Sequence, residues 1–210
     1  MRLLSATPSP YARKVRIALA EKKIPFELLT EVPWNSDAQA PQYNPLEKIP
    51  VLILDDGSSV YESSFILEWL ETKYPEPPLL PADPDQRLAA KRLQVLADGV
   101  CDAFVLYFFE RRRPEAQRSQ PWIERHLRKI HGGMNEIARL TPMQGYCIGD
   151  RFGLGDIAVA CVVGYLTARA PEIKWQSRHP HLPALYDRLM QRESLRTTVP
   201  YPQQIEAGVV

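Results

Sequence analysis

Five prolines within ten residues, Pro75 to Pro84, divide this chain into two stretches with different hydrophobic periods. Proline lacks a backbone N–H and fixes φ, so such a run suits neither a helix interior nor a sheet interior. It reads as a linker at positions 76–84. Before it, short apolar runs alternate with helical spacing. After it, only helical spacing occurs.

The first stretch, 1–75, reads as an α/β domain. Arg2 to Ser5 suits a short buried strand, and Val15, Ala18, Leu19 and Lys22 follow helical spacing until Pro25. Phe26 to Leu29 reads as a second strand, and Pro33 to Leu46 as an irregular polar segment. Val51 to Leu54 is a continuous apolar run of the kind buried on both faces. Asp55-Asp56-Gly57-Ser58 is turn chemistry that lets Val60-Tyr61 return as a hairpin. Ile66, Trp69, Leu70 and Lys73 then repeat at helical spacing. A strand–helix–strand unit calls for a right-handed parallel crossover, to which the hairpin adds an antiparallel edge.

The second stretch, 85–210, reads as all-α. One helix is expected from Asp85 to Arg113, stopped by Pro114. A second carries Ile123, Leu127, Ile130, Met134 and Ile137 in steps of four and three. Leu154 to Leu166 reads as a helix buried around most of its circumference, and Leu182, Leu185 and Leu189 mark another.

Composition narrows the functional classes. With 26 basic and 25 acidic residues, the net charge of +1 gives no general electrostatic reason to expect nucleic acid or an anionic membrane. The dense basic run Arg111-Arg112-Arg113 follows a long helical pattern, where cations complement the helix dipole. Cys101, Cys147 and Cys161 are too widely spaced for a disulfide framework or a zinc site. His126 and His131 fall on different helix faces, so no metal is expected. The N-terminus lacks the apolar core of a signal peptide, and no apolar run approaches the ~20 residues that span a bilayer. The expected location is cytoplasmic.

Three segments carry possible chemistry. Ser9-Pro10 opens a helix: serine caps and proline is tolerated at the first position. The same helix start offers unpaired N–H groups, a partial positive charge and a hydroxyl able to donate to a thiolate. Lowering a thiol pKa by two units takes about 2.7 kcal/mol of differential interaction. One charge-assisted hydrogen bond, about 1.5–3 kcal/mol, supplies most of it. Lys48-Ile49-Pro50-Val51 is a strand entry, and Tyr61-Glu62-Ser63-Ser64 precedes a helix that Ser63 or Ser64 can cap.

Together, Ser9 to Leu19, Asn44 to Leu52 and Glu62-Ser63 resemble the cytosolic glutathione transferase superfamily in order and spacing. The first segment resembles its serine-type classes. Gly149 to Ala158 resembles that family's buried capping box, and Leu96 to Gly99 with the tail from His179 resembles a bacterial branch. The resemblance implies a thioredoxin-like, glutathione-binding domain over 1–75, a helical domain over 85–210, and a homodimer. It implies that Ser9 hydrogen-bonds the sulfur of glutathione, held as a cosubstrate without metal. Pro50 would be cis, with the Ile49 backbone pairing with the cysteinyl part. Glu62 would meet the γ-glutamyl ammonium, Ser63 its carboxylate, and Lys48 the glycyl carboxylate. Tyr11, Cys101, Val105 and Phe108 are candidate walls for the electrophile in a cleft between the domains, the last three being equally readable as bundle core.

Two positions depart from the pattern. Gly153 stands where the cap is usually serine or threonine, and Asp156 can still reach back to its N–H. Pro8 removes a donor just before Ser9. Three functions share the fold: conjugation of glutathione to a small electrophile, a scaffold or regulatory protein without turnover, and a thiol reductase. The last calls for cysteine at position 9, where this chain has serine.

Overall fold

The computed structural model describes residues 1–206, which divide into two compact units. The first comprises Met1–Pro81 and the segment from Met190 onward, and the second Ala82–Leu189.

Four strands build the first unit: β1 (Arg2–Ser5), β2 (Glu27–Thr30), β3 (Val51–Ile53) and β4 (Ser59–Tyr61). Their order in the sheet is β2-β1-β3-β4. β1 pairs in parallel with β2, and antiparallel pairs join β1 to β3 and β3 to β4. All three residues of β3 are buried, as the continuous apolar run requires. β2 begins one residue later than the apolar pattern suggests, and as the outer parallel strand it leaves Glu27 and Leu28 exposed. Helices α1 (Pro10–Glu21) and α3 (Ser63–Lys73) pack together. A four-residue helix, α2 (Ala40–Tyr43), interrupts the segment that reads as irregular.

The proline-rich connection is not a free spacer along its first half. Lys22 Nζ forms a 2.6 Å ion pair with Glu71 and also donates to the carbonyls of Tyr74 and Pro77. The Glu71 carboxylate accepts from the backbone N–H groups of Leu79 and Leu80, whose side chains are buried. A buried ammonium is tolerable because carboxylate and carbonyls surround it.

The tail differs from the sequence expectation of a helical domain running to position 210. The short helix α8 (Glu193–Arg196) and the residues after it belong to the first unit, and positions 207–210 lie outside the described residues. Arg13 explains the docking. Its guanidinium, 1% exposed, reaches the Thr198 hydroxyl at 3.4 Å and the Leu195 carbonyl at 3.3 Å. Arg192 pairs with Glu21 at 2.6 Å, and Ser194 donates to the same carboxylate. Burial pushes the Glu21 carboxyl up, but the bonds from Arg192 and Ser194 outweigh it and hold it below the usual range. These contacts link charges about 170 positions apart, which hydrophobic periodicity does not register.

In the second unit, α4 (Pro84–Arg112) packs along α5 (Gln120–Leu140) and α6 (Leu154–Arg169), and α7 (His181–Leu189) packs on α6. Ile123, Ile130, Met134 and Ile137 form the buried face of α5, where His126 is buried and Leu127 only half-buried. α6 is buried from Leu154 to Leu166. Its cap is the one expected: Asp156 Oδ2 accepts from Gly153 N at 3.0 Å, while Oδ1 accepts from Cys147 N at 2.8 Å. Burial pushes the Asp156 carboxyl up, and the two N–H bonds pull against it. No single described helix is long and apolar enough to cross a membrane.

Gly133 of α5 faces Val100 of α4 at close range: a Cβ at 133 would stand 2.3 Å from Val100 Cγ2. Valine is stiff at χ1, so the contact cannot be relieved by rotation alone. Gly133→Ala is expected to lower stability by about 1–3 kcal/mol in urea unfolding. Gly132→Ala, with open space around its Cβ, is expected to raise it by up to about 1 kcal/mol.

Candidate functional site

Strand register gathers the three candidate segments. Leu4 pairs with Val51, and Val51 with Tyr61. The chain therefore leaves β1 toward Ser9, enters β3 through Ile49-Pro50, and leaves β4 into Glu62-Ser63 at one end of the sheet.

Ser9 is the N-cap of α1, with extended backbone and a half-buried side chain. Its Oγ accepts from Ala12 N at 3.2 Å. Accepting uses a lone pair and leaves the hydroxyl hydrogen to donate elsewhere. Cap and donor are thus compatible roles for one oxygen. Tyr11, in the first turn of the same helix, is half-buried.

The Ile49-Pro50 peptide is cis, as is Glu76-Pro77. Pro50 is buried, Ile49 half-buried and Lys48 exposed. The approach to this turn is fixed by Asn44, a residue that sequence reading quoted without assigning a role. Its buried side chain donates to the Lys48 carbonyl at 2.7 Å and accepts from Leu46 N at 2.9 Å. The pairing of asparagine with the following Pro45 was the available signal, since asparagine commonly bonds backbone two residues on.

Glu62 is the N-cap of α3 and holds φ at 71°, a conformation that costs a non-glycine residue about 1–3 kcal/mol. Its Oε2 accepts from both Ser64 N and Phe65 N, while Oε1 accepts from no described residue. The cap is therefore Glu62, not Ser63 or Ser64. Ser63 is 1% exposed and its hydroxyl has no partner among the described residues. An orphaned buried hydroxyl costs about 1–3 kcal/mol. A strained acidic cap beside an unsatisfied hydroxyl thus stands at a helix start that favours negative charge.

The tail contributes a neighbour that sequence reading missed. Thr7 Oγ1, two residues before Ser9, donates to the Tyr201 carbonyl at 2.9 Å. Of the candidate electrophile walls in the second unit, Cys101 is buried, and Val105 and Phe108 are half-buried. Cys147 and Cys161 are buried as well. Among the described residues, no cluster of three or more His, Cys, Asp or Glu side chains is placed to hold a metal.

Comparison with known proteins matches two family models: "Glutathione S-transferase, N-terminal domain" over residues 8–73 and "Glutathione S-transferase, C-terminal domain" over residues 120–188. An uncharacterised GST-like protein of Escherichia coli, YibF, is 37% identical over 95% of this chain and 98% of its own length. A glutathione S-transferase from Methylobacterium radiotolerans, solved with glutathione sulfonate, is 63% identical with a TM-score of 0.97, covering 100% of this chain and 99% of that one. One from Methylobacillus flagellatus, solved with glutathione bound, is 39% identical with a TM-score of 0.88, covering 95% and 98%.

Proposed function

Given that the chain belongs to the cytosolic glutathione transferase superfamily, with its thioredoxin-like and helical domains, we propose that it binds glutathione as a thiolate and adds it to a small electrophile. The observation that carries this reading is the pair of hydroxyls at one sheet end: Ser9, with a hydrogen free to donate, and Ser63, buried without a partner.

In this reading Ser9 is a hydrogen-bond donor and the attacking atom is the sulfur of the cosubstrate. The α1 N-terminus and the Ser9 hydroxyl favour the anion over the thiol. The Ile49 backbone pairs with the cysteinyl residue. The Ser63 hydroxyl donates to the γ-glutamyl carboxylate, while Glu62 Oε1 accepts from the adjacent ammonium. Lys48 meets the glycyl carboxylate, and Tyr11 stands beside the sulfur. Holding nucleophile and electrophile together supplies the remaining rate enhancement through proximity. Two related structures that contain glutathione or its sulfonate support this use of the fold.

A thiol reductase reading lacks its nucleophile. All three cysteines are buried and lie in the second unit, so no protein thiol stands at position 9 to form a mixed disulfide.

Homodimer formation is part of the same proposal. Leu88, Val95 and Leu106 are exposed on α4 at offsets of seven and eighteen, near whole turns of about 3.6 residues, so they form one apolar stripe.

Calorimetric titration with glutathione, followed by thiolate absorbance against pH, tests the site. The bound thiol is expected to titrate about two units below its free value of about 8.5–9. Ser9→Ala is expected to return at least one of those units while still binding. Absence of binding at millimolar glutathione overturns the reading, and an unshifted thiol leaves a binding protein without activation. Sedimentation at micromolar protein is expected to give a dimer that Val95→Lys dissociates; a wild-type monomer contradicts it.

A further inference from the structure

Beyond α8 the described chain forms no helix or strand, and it runs back across the first unit. Side chains and backbone tie it there. The Tyr201 carbonyl takes the bond from the Thr7 hydroxyl, and Gln203 Nε2 donates to the Glu31 carbonyl at 3.3 Å. Glu206 is bound in both directions. Its N–H donates to Asn35 Oδ1 at 3.1 Å, while its Oε2 accepts from the Ser36 hydroxyl at 3.2 Å and from Ser36 N at 3.3 Å. Bonds to a charged acceptor are stronger than neutral ones, so Glu206 is the principal tie.

The segment held in this way is the irregular connection between β2 and α2. Glu31 organises its two ends. The Glu31 N–H donates to the Ser5 carbonyl at 2.9 Å, and its carboxylate accepts from Gln39 N at 2.8 Å and Ala40 N at 3.3 Å. Gln39, the N-cap of α2, makes no side-chain capping bond, so the Glu31 carboxylate satisfies donors that a cap would otherwise take.

At its other end α2 runs into Asn44, whose side chain holds the Lys48 carbonyl. Between them Glu47 keeps φ at 54°, which a non-glycine residue retains only where its surroundings fix it. A continuous set of contacts therefore leads from Glu206 through Ser36, Glu31 and α2 to Lys48 and the Ile49-Pro50 turn.

We propose that residues 201–206 clamp the β2–α2 connection and so set how tightly the first unit takes the glycyl end of glutathione, with Glu206 as a positioning residue. This rests on the glutathione reading, in which Lys48 meets the glycyl carboxylate. Glu206 acts through Ser36, Glu31 and α2 and not by contact with the peptide. Ser9 and Ser63 are placed by strand register instead, so releasing the clamp leaves the contacts to the γ-glutamyl and cysteinyl parts in place.

Calorimetric titration of the full chain with glutathione and with γ-glutamylcysteine, which lacks the glycyl residue, tests it. Glu206→Ala is expected to weaken glutathione by about fivefold and γ-glutamylcysteine by less than about twofold. Glu206→Gln keeps an oxygen able to accept from Ser36 and is expected to bind glutathione within about twofold of wild type. The Ser36 amide signal is expected to move in Glu206→Ala before any peptide is added. If wild type binds glutathione and Glu206→Ala binds both peptides as wild type does, the clamp is overturned alone. Equal weakening of both peptides overturns it as well, since that marks a general loosening of the unit. Wild type that binds neither peptide overturns the glutathione reading and the clamp with it.

Discussion

The register that sets Leu4 opposite Val51 and Val51 opposite Tyr61 is the constraint on which the candidate site depends. Side chains alternate along a strand, so a slip of one residue would turn the buried face of β3 outward and carry Pro50 away from the turn that follows β1. Leu4, Val51 and Ile53 form one buried cluster, against which Ile49 and Tyr61 pack. Burial of these side chains therefore also fixes where Ser9, Ile49 and Glu62 stand. The hydrophobic effect positions a polar site without contributing a polar atom to it.

Helix α1 then has to hold Ser9 still. Arg13 and Glu21 within it, and Lys22 at its C-cap, serve this by reaching distant backbone or side chains: Arg13 to the tail, Glu21 to Arg192, and Lys22 to Glu71 and the proline-rich connection. The buried Arg13 and Lys22 act as anchors, the first on the Leu195 carbonyl and the second on the Glu71 carboxylate and the Tyr74 and Pro77 carbonyls. The first unit is consequently closed by the end of the chain, and the carbonyl of Tyr201 in that segment accepts a bond from Thr7.

The strand and helix pattern of the first unit was legible because apolar spacing directly reports burial, as at Val51 to Ile53 and along α1. The Asp156 cap was legible for a similar reason, since an acid three residues after a helix start can reach only a few groups. Arg13 was not, because a charged residue in a helical pattern reads as solvated until its partners near position 198 are known. The tail was assigned to the helical half because periodicity identifies helices and not what they pack on. At the candidate site, Ser9, Pro50, Glu62 and Ser63 were legible only as members of three short segments, which the strand register brings to one sheet end. The sequence did not show that Glu62 supplies the cap of α3 and leaves the Ser63 hydroxyl unsatisfied, because both residue types are ordinary caps.

The central claim is that three chain segments at one sheet end act as a single tripeptide site with the sulfur at Ser9. Amide chemical-shift mapping during a glutathione titration tests it most directly. The N–H signals of Ser9, Ala12, Ile49, Ser63 and Ser64 are expected to move together along one saturating isotherm. Shifts confined to one of those segments, or centred in the helical unit, would contradict it.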